Sequence, residues 1–119
     1  MTALYHYTCQ HSRPGILAAG VLRPNPHPWL PEPLVWLTDL PEAWREALGL
    51  TSHTLRCDRT AYRFKAADTR TAIRWLTYRR SLPVHVAAAI ESTPGAMPAH
   101  WWISTTPVPI VPEGDRHAS

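Results

Sequence analysis

Proline limits what this chain can fold into more than any other feature. Thirteen of its 119 residues are proline, more than twice the usual ~5%. Five of them, Pro24, Pro26, Pro28, Pro31 and Pro33, fall within residues 23–33. Each proline fixes φ and removes a backbone donor, so neither a helix nor a strand ladder persists through that stretch. It reads as an extended loop, and long helices are not expected elsewhere. The length suits one domain, predicted over residues 1–112 with a polar tail over 113–119. With 45% apolar and 18% charged residues, a packed core is expected. No apolar run approaches the roughly 18–20 residues that cross a bilayer, and Met1–Tyr7 lacks the order of a secretory signal. Cys9 and Cys57 can close at most one bridge. The expectation is a reduced, cytosolic protein that does not span a membrane.

Between the proline segments the chain alternates short strands and short helices. Leu4–Thr8 is aromatic and β-favouring, which puts Tyr5 and Tyr7 on the side opposite His6. Ser12 and Pro14 start a helix of about two turns, Ile16 and Leu17 give it an apolar face, and Gly20 suits a left-handed end. Leu34–Thr38 is a continuous apolar run of strand length. Asp39 with Glu42 forms a capping pattern for a helix whose face carries Leu40, Ala43, Trp44, Ala47 and Leu48, ending at Gly49. Thr60–Lys65 alternates, with Tyr62 and Phe64 on one side and Arg63 and Lys65 on the other. Thr71–Arg80, carrying Ile73, Trp75 and Leu76, reads as a helix, and Pro83–Glu91 as another. His100–Ser104 reads as a strand, and Val108–Val111 as an edge strand broken by prolines.

Charge is unevenly spread. Eleven of the twelve basic residues are arginine, Lys65 being the exception, and Arg56–Arg80 holds eight basic side chains against Asp58 and Asp68. Such a segment can grip phosphate by bidentate hydrogen bonds, lie along nucleic acid, dock an acidic partner or remain a solvated face. Walker-type, G-x-G-x-x-G, G-x-S-x-G and C-x-x-C patterns are absent. The seven histidines, His6, His11, His27, His53, His85, His100 and His117, show no i, i+4 zinc spacing, so a metal site needs long-range assembly. Six tryptophans can serve as stacking shelves, although Trp36 and Trp44 read as core.

Three short pieces stand out: Tyr5-His6-Tyr7-Thr8, Gly20-Val21-Leu22-Arg23-Pro24 and Leu34-Val35-Trp36-Leu37-Thr38. Taken alone, a strand histidine can hydrogen-bond a ribose hydroxyl and a flat aromatic can stack on a base-like ring. In order and spacing the pieces resemble the front half of the ADP-ribosyltransferase superfamily, in its diphtheria-toxin and poly-ADP-ribose-polymerase-like branch, over roughly residues 4–64. The resemblance implies that His6, with Thr8, holds the NAD ribose and that the Tyr7 backbone grips the nicotinamide amide. It also implies that nicotinamide stacks on the second strand, where Trp36 stands in place of the family's tyrosine. The family's late-strand glutamate, which fixes the ribose 2′-hydroxyl and stabilises the oxocarbenium-like state, has no counterpart in Ala99–Ile103. His100 occupies its place and Glu91 lies upstream. Either Glu91 folds back to serve, or the chain binds an NAD-like molecule with weaker or different chemistry. Arg59 and Arg63 are then the candidates for the pyrophosphate.

The expected fold is α+β, a small, split, mostly antiparallel sheet flanked by short helices, as the resemblance implies. The expected function is a minimal mono-ADP-ribosyltransferase that uses NAD as substrate, releases nicotinamide and modifies a protein or nucleic-acid acceptor. Its economy of length suits a phage or bacterial effector. The alternative is a non-catalytic module on the same fold that binds a nucleotide, nucleic acid or protein.

Overall fold

The computed structural model describes residues 2–8, 12–42 and 62–111. The chain is α+β, with a mostly antiparallel sheet and three short helices. Strands β1 (Tyr5–Thr8), β3 (Val35–Thr38), β4 (Tyr62–Lys65), β5 (Ile73–Arg74) and β6 (Trp101–Ser104) form one sheet in the order β4-β1-β3-β6-β5. Every pairing in it is antiparallel. Strands β2 (Val21–Leu22) and β7 (Val108–Pro109) pair separately. The Ala66↔Ile110 bridge and the bond from Val111 N–H to Lys65 O (2.9 Å) tie β7 to the end of β4. Among the described residues no helix is long and apolar enough to cross a membrane.

Two clusters cover the two faces of the sheet. On one face Leu4, Val35, Leu37, Phe64 and Ala66 meet Leu22, Val108 and Ile110 from the smaller pair of strands. On the other, Leu34, Trp101 and Ile103 meet Trp75, Tyr78, Leu82 and Ala87. The last four come from helix α2 (Trp75–Tyr78), the turn after it, and helix α3 (Val84–Ile90). Leu34–Leu37 is apolar throughout because its strand is covered on both sides. Trp75 is wholly buried and stacks near Trp36 (5.2 Å between ring centroids), Tyr78 (6.0 Å) and Trp101 (6.1 Å).

Helix α1 (Arg13–Ala19) has Pro14 in its first turn and ends at Gly20 with φ 71°, as expected, but Ser12 makes no side-chain cap bond. Leu17 departs from the expected apolar face: it is exposed, and only Ile16 reaches the core. The Thr71–Arg80 helix is a larger departure. Ile73 and Arg74 instead pair with Ile103 and Trp102 as an edge strand, so the helix starts only at Trp75. The helix expected from Asp39 and Glu42 to Gly49 lies, from Ala43 onward, outside the described residues, as do Cys9, Cys57 and the 113–119 tail.

The proline-rich loop is tied down at two points. Asn25 and Leu34 exchange backbone hydrogen bonds at its base (3.0 and 3.1 Å). Tyr78 Oη–H donates to Glu32 Oε2 (3.0 Å) across it, while Leu30 packs on the tryptophan cluster. Burial, reinforced by the Glu32 carboxylate, pushes the Tyr78 phenol up to about 12. Folded Tyr78 therefore keeps its proton where an unfolded tyrosine, with a pKa of about 10, loses it. Stability is full below pH 10 and is expected to fall as pH rises towards 12, since there the folded state binds more protons. Urea midpoints at pH 9 and 11 check this. Tyr78→Phe should flatten the slope, and an equal slope in both proteins would assign it elsewhere.

Candidate functional site

Strand alternation decides which candidate side chains share a face. Directly opposed residues point the same way, so the pairs His6↔Phe64 and Leu37↔Trp102 join His6, Leu37 and Trp102 on the Phe64 side, where Leu37, Phe64 and Trp102 pack together. The pairs Tyr5↔Thr38, Tyr7↔Arg63, Thr38↔Trp101 and Trp36↔Ile103 put Tyr5, Tyr7, Arg63 and Trp36 on the other side. Trp36 accordingly packs against Trp75 and Trp101.

His6 and Trp36 nonetheless meet, through the backbone. Strands β1 and β3 share a single register pair, Tyr5↔Thr38, whereas β1 with β4 and β3 with β6 each share four. Beyond that pair the His6 ring bridges the two strands, its Nδ1–H donating to Trp36 O (2.8 Å). A carbonyl can only accept, which fixes the proton on Nδ1. The sheet is thus opened beside His6.

The other sequence candidates are distributed as follows. Tyr7 and Thr8 are buried on β1, and Tyr7 Oη–H donates to Leu40 O (2.9 Å). Arg63 lies over the Tyr5 ring, 4.6 Å from its centroid, and donates to Pro41 O, all on the face opposite His6. Arg59 lies outside the described residues. Glu91 sits just past α3, behind the tryptophan cluster. Its carboxylate accepts from Trp75 Nε1–H (2.7 Å) and Arg79 Nη1 (2.8 and 3.0 Å). Those bonds fit a structural role. Glu91→Ala is expected to cost about 1.5–3 kcal/mol, the range for hydrogen bonds to a charged group. A thermal melt beside a turnover assay checks this, and loss of turnover without loss of stability would return Glu91 to the site.

His100 is the best-held candidate. Its Nδ1–H donates to Asp39 Oδ1 (2.6 Å), and Trp102 Nε1–H donates to Asp39 Oδ2 (3.2 Å). Its carbonyl accepts from Thr38 Oγ1 (2.8 Å) and Asp39 N–H (3.3 Å). The Asp39 side chain is 19% exposed and that of His100 39%, so the carboxylate is sheltered while the ring reaches solvent. In the sequence Asp39 reads as a helix cap and Trp102 carries no assigned role. The only signal available for Asp39 was its position at the end of a strand.

Among the described residues of the basic segment, Arg63, Arg70, Arg74 and Arg79 engage groups of their own chain. Arg74 lies over the Trp102 ring (5.1 Å), and outside the segment Arg13 lies over Tyr62 (4.8 Å). Arg70 pairs with Asp68 (2.7 Å) and holds that carboxyl down at about 2. Arg74, opposite Trp102 in the ladder, and Arg13, over the Tyr62 ring, are both basic residues on the His6 face. Among the described residues, no group of three or more His, Cys, Asp or Glu side chains is arranged to hold a metal ion.

Comparison with known proteins finds no match among family models, curated proteins or solved structures.

Proposed function

We propose that the chain is a minimal NAD-dependent mono-ADP-ribosyltransferase, acting in the cytoplasm and passing ADP-ribose to a protein or nucleic-acid acceptor with release of nicotinamide. One observation carries the reading. The three strands that the resemblance singles out, those of His6, of Trp36 and of the expected late glutamate, are the neighbours β1, β3 and β6, and the sheet opens beside His6.

The residues present suit such a substrate. A ribose needs a fixed hydrogen-bonding group, which His6 offers. A flat charged ring needs an aromatic surface, and Trp102 stands on the His6 face with Arg74 beside it for phosphate. Trp36 would act through its carbonyl, by orienting His6, more than as a stacking surface. That changes the role the resemblance gives it, because its ring belongs to the opposite face.

A second reading, a binding module without turnover, is favoured by the engagement of Glu91 with Trp75 and Arg79. Proton NMR of the protein with NAD separates the two. Line broadening with accumulating free nicotinamide is the expected result. Broadening without release would leave the binding module, and neither signal would remove NAD from consideration.

A further inference from the structure

The Asp39 carboxylate and the His100 ring come from points 61 residues apart, yet they lie 2.6 Å from each other. We propose that this pair is the general base of the site, an inference that rests on the ADP-ribosyltransferase reading above. Three features support it. The Asp39 carboxylate fixes the proton on His100 Nδ1, which leaves Nε2 of the neutral ring to accept one. Thr38 and Asp39 pin the His100 carbonyl and so hold its backbone at the head of β6, while the bond to Asp39 Oδ1 orients the ring. Through Trp102 the pair belongs to the His6 face, and the half-exposed ring is open to an incoming nucleophile.

The sequence offers no glutamate in this strand, and a neutral histidine alone stabilises developing positive charge poorly. Asp39 supplies the missing negative charge one step removed. With water as nucleophile, the His100 Nε2 lone pair takes a water proton as the water oxygen bonds to C1′ of the ribose. The C1′–N bond breaks, and its electron pair leaves with nicotinamide. The imidazolium formed is held by Asp39 and then releases its proton to solvent. His100 is the catalytic residue of this step, and Asp39 positions it.

The test is NAD hydrolysis followed by proton NMR for the wild type, His100→Ala and Asp39→Asn, each also scored for NAD line broadening. Both variants are expected to release nicotinamide about 100- to 10,000-fold more slowly, the range for loss of a general base, while still broadening the NAD lines. Added imidazole should restore part of the His100→Ala rate. His100 is partly exposed, so this variant should fold even if Asp39→Asn does not. Wild-type turnover in His100→Ala would overturn the inference and leave the transferase reading standing. A wild type that releases no nicotinamide would overturn both.

Discussion

Trp75→Ala is expected to lower the folding free energy by about 3–5 kcal/mol, the range for emptying an aromatic site in a core. Against a total of about 5–15 kcal/mol for a domain, that is a large share. Trp75 has no exposed surface and is surrounded by Trp36, Tyr78 and Trp101. It is also the only described side chain besides Arg79 that bonds the Glu91 carboxylate, so its loss leaves both carboxylate oxygens to Arg79 alone. Trp75→Phe should cost less, because the ring still fills most of the volume and only the N–H is lost. Urea unfolding followed by circular dichroism measures both, since tryptophan fluorescence would itself change with the substitution. A cost under 1 kcal/mol for the alanine variant would mean that the cluster closes over the gap and that Trp75 is not its keystone.

The same cluster shows why part of the fold was legible in the sequence and part was not. Tyr62–Lys65 announces its register because alternate residues differ in polarity, and Phe64 is indeed buried while Lys65 is exposed. Leu34–Thr38 announces a strand but not its phase: Leu34 to Leu37 are apolar on both faces, so nothing in that run says which side Trp36 takes. The resemblance sets Trp36 beside His6, whereas alternation puts the Trp36 ring on the opposite face and Trp102 on the His6 face. The departure of Thr71–Arg80 from the expected helix has a similar cause. Ile73, Leu76 and Trp75 fit a helical spacing, but a two-residue edge strand is too short to leave a period of its own. Strand β2 escaped notice for the same reason. The Asp39–His100 pair could not be read at all, because its two halves meet only after β3 and β6 have paired. A carboxylate followed by proline near a helix-like pattern looks like a cap, and local rules favour the local partner.

His6→Asn is expected to stop nicotinamide release, by at least about 100-fold, while leaving the protein about as stable as the wild type. On the transferase reading, the two ring nitrogens of His6 take separate tasks, which substitutions can divide. Nδ1–H holds Trp36 O across the opened strands, and an asparagine side-chain amide places a donor at nearly the same point. Nε2 lies further out, where glutamine can imitate it but asparagine cannot. His6→Asn should therefore keep the strand bridge and lose the group proposed to hold the ribose. His6→Gln should do the reverse, losing some stability and keeping part of the NAD affinity. Misplacing a bound substrate by about 1 Å can cost about 100-fold in rate even where the chemistry is untouched. Nicotinamide release and thermal melts on the two variants would assign the nitrogens their roles. If His6→Asn turns over at the wild-type rate, His6 is a structural bridge between β1 and β3 and the ribose must be held elsewhere. If both variants lose stability and rate together, the opened sheet itself depends on the imidazole, and the bond to Trp36 is the part of His6 that matters most.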